Sequence, residues 1–213
     1  MPPEKGEAPS FWIIAGANGS GKSTLYGSRR DAIYGNTIIS DATRPFWIIN
    51  PDLLASRIRS AERLTHVAAN LAAVIRIEAW LKASINAHQS IGVETVLSTA
   101  KYRRLVRRAK EHGFEIRLVY VVLRNSKLNV ERVKLRVRKG GHKVPIKKIT
   151  ERRDRSLKQL PWFLREADWA LLLDNSDELR IIGWKLKGTL TVDPAAPQSI
   201  QFAISKIAKA QIR

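Results

Sequence analysis

Short apolar runs alternate along the chain with longer segments in which apolar residues recur every three or four positions. A run of four to eight apolar residues reads as a buried strand, and the three-to-four spacing as an amphipathic helix. The pattern predicts strands at Phe11–Ala15, Thr37–Ser40, Phe46–Ile49, Val93–Leu97, Glu115–Leu123 and Trp169–Leu173. It predicts helices at Lys22–Arg30, Asp52–Arg59, Thr65–Ala87, Tyr102–His112, Asn129–Lys139, Ile146–Leu160 and Ile200–Ile212. Within Thr65–Ala87 the expected core stripe is Leu71, Val74, Ile75, Ala79 and Leu81. Arg180–Val192, interrupted by Gly183 and Gly188, reads as an edge hairpin. Strands alternating with helices imply an α/β fold, a parallel sheet with helices on both faces.

The turn after the first strand carries the strongest chemistry. Gly16-Ala17-Asn18-Gly19-Ser20-Gly21-Lys22-Ser23-Thr24 fits G-x-x-x-x-G-K-[ST] between a strand and a helix, the phosphate-binding P-loop. Its glycines let backbone N–H groups converge on phosphate oxygens. The following helix adds the positive end of its dipole, Lys22 adds a cation, and Ser23 is placed to hold Mg²⁺. A nucleoside triphosphate, ATP with Mg²⁺, is the expected ligand. The expected fold is therefore a P-loop NTPase-type parallel sheet flanked by helices, with a helical arginine-rich lid and a C-terminal edge hairpin. Residues 1–213 read as a single P-loop domain, with the lid at about 129–160.

Ligands of such sheets sit beyond the C-terminal ends of the strands. That rule draws the P-loop, Asp52, Glu94, Arg124 and Asp174 toward one cleft. A kinase needs a carboxylate beside its acceptor hydroxyl. Asp52 and Glu94 are the candidates, although Asp52 reads equally as an acid that favours a helix N-terminus. In the lid, Arg132, Arg136 and Lys139 share a helix face opposite Val130, Val133 and Val137. Gly140-Gly141 offers a hinge. On the next helix Ile146, Ile149, Leu157 and Leu160 form an apolar face with Arg153 in its middle, where a buried acid or a ligand phosphate is expected as partner.

Composition narrows the picture. The 213 residues include no cysteine and four scattered histidines, which excludes disulfides and thiolate or histidine zinc cages. No apolar run approaches membrane-spanning length and the first residues lack a secretory pattern, so a cytoplasmic enzyme is expected. The net charge of +19, with more than half of the Lys and Arg between Lys101 and Lys158, invites phosphate-rich or acidic partners.

Ala15–Thr24 (AGANGSGKST), Asn50-Pro51-Asp52, Val93–Ser98 (VETVLS), Arg132-Val133, Arg136-Val137, Gly140–Pro145 (GGHKVP) and Asp174-Asn175-Ser176 resemble the zeta toxin family of P-loop kinases, in its chromosomal bacterial branch. The resemblance implies an ATP-dependent kinase that phosphorylates a sugar hydroxyl of UDP-N-acetylglucosamine, and it brings in an antitoxin as a partner. It makes Asp52 the base beside the acceptor hydroxyl and Glu94-Thr95 the substrate-positioning pair. Lys22 becomes the phosphate-contacting lysine, Arg152 and Arg155 catalytic lid arginines, and Arg136 a nucleotide contact. His142 falls where better-known members place a substrate-phosphate arginine, and Arg153 departs from the branch's usual aromatic residue. Two other readings stay open: a kinase of another nucleotide or small molecule, and a nucleic-acid kinase or binder drawn from the charge. Asn125-Ser126-Lys127-Leu128 lacks the guanine-reading Asn-Lys-x-Asp pattern, which argues against a GTPase switch.

Overall fold

The strongest apolar runs become the centre of one sheet. The structure is a computed structural model and describes residues 8–26, 47–141 and 144–210. Its strands are β1 (Ser10–Ala15), β2 (Trp47–Ile49), β3 (Ile91–Thr95), β4 (Glu115–Val122), β5 (Trp169–Asp174), β6 (Arg180–Leu186) and β7 (Thr189–Val192). Its helices are α1 (Lys22–Tyr26), α2 (Pro51–Ala61), α3 (His66–Asn86), α4 (Tyr102–Glu111), α5 (Ser126–Arg138), α6 (Ile146–Glu166) and α7 (Gln198–Ala210). The seven strands lie in the order β2-β3-β1-β4-β5-β6-β7. β1 to β5 are parallel, and β6 and β7 close one edge as an antiparallel hairpin. The expected strand at 37–40, the expected ends of the first and last helices, and His142 lie outside the described residues.

Alternation along the central strands sorts the core into two faces. Phe11, Ile13 and Ala15 join Ile116, Leu118, Tyr120, Ala170 and Leu172 on one side, under α3, α4, α6 and α7. Trp12, Ile14, Val119, Val121, Leu171 and Leu173 form the other, against Leu25 of α1. β1 is buried along its whole length, as expected of a central parallel strand.

The expected stripe on α3 is corrected. Ala69, Ala73, Ile77, Leu81 and Ile85 are its buried residues, whereas Leu71 and Ile75 are each 61% exposed and Val74 is 43% exposed. This helix is apolar on more than one side. The side chosen for burial has alanines that let it approach Ala55 and Ile58 of α2 closely. The apolar face predicted on α6 is also partly corrected: Ile149 and Leu160 are buried, but Ile146 is exposed. The helix does not end before Pro161 but continues to Glu166, because Trp162, Phe163 and Leu164 are all buried in the core. Lys185 caps its end, Nζ donating to the carbonyls of Leu164, Arg165 and Ala167 at 2.9, 2.9 and 2.6 Å.

β3 ends at Thr95 rather than Leu97, since Leu97 turns into the left-handed region (φ 57°) and buries its side chain. Glu94 therefore stands at a strand end. Parallel pairing sets Ile49 level with Val93 and Ile14 level with Glu94. The residue after β2, Asn50, comes level with Glu94 beside the P-loop.

Candidate active site

The P-loop turns back over the C-terminal end of β1 through three left-handed glycines, Gly16 (φ 144°), Gly19 (φ 78°) and Gly21 (φ 96°). A Cβ at Gly16 would run into the Val121 carbonyl, and one at Gly21 into the Asn175 side chain. At Gly19 it would lie 2.7 Å from the Asn129 carbonyl. Glycine is required here by close backbone packing as well as by φ.

Two asparagines that sequence reasoning gave no role brace this loop. Asn129, fully buried in α5, donates Nδ2 to the Asn18 carbonyl at 2.9 Å. Asn175, just past β5, donates Nδ2 to the Ser20 carbonyl at 2.9 Å, while its own N–H bonds Val122 O at 3.0 Å. The sequence offers only an asparagine within a basic helix and an Asp-Asn-Ser stop after a strand. Helix α5 begins at Ser126, capped by the Asn125 side chain, so Asn129 lies inside it rather than at its start.

Lys22 is buried, its Nζ donating to the Ala17 carbonyl at 3.1 Å and standing 3.7 Å from Glu94 Oε1. Burial lowers its pKa; the charges of Glu94 and Asp52 oppose that shift and Arg136 adds to it. Four groups predicted from widely separated segments thus feel one another. Glu94 is the hub. Its Oε2 accepts from Ser23 Oγ at 2.9 Å and from Asn50 Nδ2 at 2.8 Å. Asp52 is exposed at the start of α2, with its backbone N–H capped by Asn50 Oδ1 at 3.0 Å.

The other predicted residues divide. Thr95 holds the turn after its strand: its Oγ1 accepts from Leu97 N at 3.0 Å and shares a hydrogen bond with buried Tyr102. Burial pushes the Tyr102 phenol up to about 12. Arg132 donates to the Ser176 carbonyl at 3.0 Å. Together with Leu135, Arg136, Lys139 and Gly141 it lines an open pocket of about 310 Å³. Arg155 pairs with Glu151 on its own helix at 3.7 Å, and Arg152 is half-buried nearby. Among the described residues neither bonds to Lys22 or Glu94.

Arg124 and Asp174 stand outside the cluster. Arg124 is exposed and forms a bidentate pair with Asp177 at 2.6 and 3.0 Å. Asp174 is buried and accepts from Ser176 N and Oγ at 2.9 and 2.5 Å, so it builds the turn that carries Asn175. Arg153 corrects an expectation. It is buried, yet its Nη2 donates to the neutral acceptors Leu123 O at 3.0 Å and Ser199 Oγ at 3.2 Å rather than to an acid. The arginine ties α6 to the end of β4 and to the start of α7.

The arrangement suits a bound nucleotide with its metal. Ser20 Oγ and Asn18 Oδ1 are buried without a hydrogen-bond partner beside the glycine cradle. Among the described residues no cluster of three or more His, Cys, Asp or Glu could hold a metal, so an ion here would share Ser23 with phosphate oxygens. No helix among the described residues is long and apolar enough to cross a membrane.

The model of the Zeta toxin family matches residues 2–170. An uncharacterized protein of Haemophilus influenzae is 32% identical over 130 residues, which cover 61% of this chain and 82% of that protein. A crystal structure of AvrRxo1-ORF1:-ORF2 with ATP is similar with a TM-score of 0.67 at 16% identity. That match covers 95% of this chain but only 64% of the other, so this chain spans under two thirds of its length. The PezAT chromosomal toxin–antitoxin system of Streptococcus pneumoniae gives a TM-score of 0.57 at 13% identity, over 99% of this chain and 90% of that one. At these identities the structural likeness shows the fold, that of P-loop kinases.

Proposed function

We propose that this chain, which belongs to the zeta toxin family, is an ATP-dependent phosphotransferase acting on a sugar hydroxyl of a nucleotide-sugar, with UDP-N-acetylglucosamine as the leading acceptor. The observation that carries the reading is the convergence of Lys22, Ser23, Glu94 and Asp52 at the ends of three neighbouring strands. A loop that cradles phosphate faces two carboxylates, and that combination suits phosphoryl transfer better than nucleotide binding alone.

The roles follow from chemistry. N–H groups of Gly16 to Thr24 and the Lys22 ammonium hold the triphosphate, and Arg136 adds a guanidinium from α5. The Ser23 hydroxyl would hold magnesium, which would supply neutralisation of phosphate charge when bound. Asp52, exposed and close enough to act on Lys22 electrostatically, orients the acceptor hydroxyl and takes its proton. The hydroxyl oxygen bonds to the γ-phosphorus, the bond to the β-phosphate oxygen breaks, and ADP leaves. Glu94, Thr95 and His142 contact the acceptor. Arg152 and Arg155 come from the α5–α6 lid (about 129–160) to balance charge on the transferring group. The chain 1–213 acts in this reading as one kinase domain in the cytoplasm. An antitoxin partner is supported by the likeness to a toxin–antitoxin system.

The test is incubation of the purified protein with ATP, Mg²⁺ and a panel of nucleotide-sugars, nucleotides and oligonucleotides, with products read by mass. An added phosphate on a nucleotide-sugar is the expected result. Phosphate found only on another nucleotide, a small molecule or an oligonucleotide end would replace the acceptor class.

A further inference from the structure

Asn50 holds a position that the reading above leaves unused. Its backbone is extended (φ −97°, ψ 114°) and it caps α2. Pro51 follows it and has no N–H, so the first donors of the helix are those of Asp52 and Leu53. Asn50 Oδ1 accepts from both, at 3.0 and 3.1 Å. That fixes the amide: its oxygen faces two N–H groups, and its nitrogen is turned to Glu94 Oε2 at 2.8 Å. The same Oε2 accepts from Ser23 Oγ of the P-loop at 2.9 Å. One side chain therefore joins the backbone that carries Asp52 to the carboxylate that grips the P-loop.

Capping alone does not call for asparagine. Ser and Asp cap about as well. A serine would have to serve both partners with one oxygen, and aspartate would set a like charge against Glu94. The amide divides the two tasks, its oxygen accepting from the helix and its nitrogen donating to the carboxylate.

We propose that Asn50 is a positioning residue for the transfer reaction, locking Asp52 and Glu94 into one geometry against the P-loop. The proposal rests on the phosphotransferase reading above. Glu94 held in this way keeps Ser23 and Lys22 oriented, while the capped first turn of α2 fixes where Asp52 begins.

The test is a double-mutant cycle on the full chain: wild type, Asn50→Ser, Glu94→Ala and the double variant. Turnover is measured on the phosphorylated acceptor, and affinity with a fluorescent ATP analogue. Losing a hydrogen bond to a charged group lowers turnover about 10- to 100-fold in Asn50→Ser, with nucleotide affinity within about threefold. In the Glu94→Ala background the same substitution changes turnover by less than about threefold, because the acceptor it orients is gone. Asn50→Asp keeps the cap and lowers turnover further than Asn50→Ser, since it opposes Glu94 with charge. Equal losses in both backgrounds, or affinity falling in step with turnover, would show a merely structural cap and overturn the assignment. A folded wild type that transfers no phosphate to any acceptor would sink the phosphotransferase reading, whereas an active wild type with additive losses sinks the Asn50 assignment alone.

Discussion

Replacing Asn129 by alanine tests whether the P-loop is held open by its neighbours or by its own glycines. Asn129 is fully buried and donates to the Asn18 carbonyl at 2.9 Å. Removing the amide leaves that carbonyl unsatisfied, a loss of about 1–3 kcal/mol. The substitution also removes Asn129 Oδ1, which is buried without a partner in the native state, and this relief offsets part of the loss. The net expectation is about 1–2 kcal/mol of destabilisation. For a chain of this size each kcal/mol lowers the unfolding midpoint by about 2–4 °C, so the shift should be about 2–8 °C. Affinity for nucleotide should fall as well, because the loop gains conformations that a ligand must remove. Calorimetry and titration with a fluorescent ATP analogue read both effects. An unchanged midpoint together with unchanged affinity would refute the brace.

Further outcomes follow from the same geometry. Asp52→Asn should lower turnover by about 10²–10⁴-fold with nucleotide affinity retained, as read by steady-state kinetics beside a binding titration; lost affinity at unchanged turnover would make Asp52 a structural acid. Arg152→Lys or Arg155→Lys should cut turnover strongly, while Lys147→Ala and Lys148→Ala do little, because a placed guanidinium is not reproduced by an ammonium. A graded loss over every Lys and Arg change, with a steep salt slope for single-stranded DNA or RNA, would instead mark a nucleic-acid surface. Burial raises the phenols of Tyr102 and Tyr120 from 10.0 to about 12, so the unfolded chain releases their protons first. Their contribution to stability is therefore whole below about pH 10 and is lost as pH rises toward 12, a loss that Tyr120→Phe should reduce in alkaline unfolding titrations.

The elements that sequence pattern located are those whose signal is local. β1, β4 and β5 are apolar through their central residues because both faces are covered there, and the P-loop spells its own geometry through Gly16, Gly19 and Gly21. What stayed hidden depends on partners distant in sequence. Asn129 and Asn175 look like ordinary helix and turn residues until the chain brings them to the carbonyls of Asn18 and Ser20. On α3 the apolar pattern favours Leu71 and Ile75 over Ala69 and Ala73, yet it is the small residues that pack against α2. Pro161 suggested a helix end that the buried Trp162, Phe163 and Leu164 override. In the site, Asp52 and Glu94 were legible as acids near strand ends. Their link through Asn50 was not, because it arises from the register of β2 on β3.

Phosphoryl transfer by the P-loop and its acids, as against nucleotide binding alone, is separable in one labelling experiment. The experiment uses γ-labelled ATP, Mg²⁺ and UDP-N-acetylglucosamine, with wild type and Lys22→Ala in parallel. Lys22 is the buried P-loop cation facing Glu94, whereas the loop's shape rests on backbone and asparagine contacts that the substitution leaves in place. Label should appear on the sugar nucleotide with wild type and not with Lys22→Ala, whose fold by circular dichroism is unchanged. Equal labelling by the folded Lys22→Ala protein, or no transfer by wild type to any acceptor in the panel, would contradict the phosphotransferase reading.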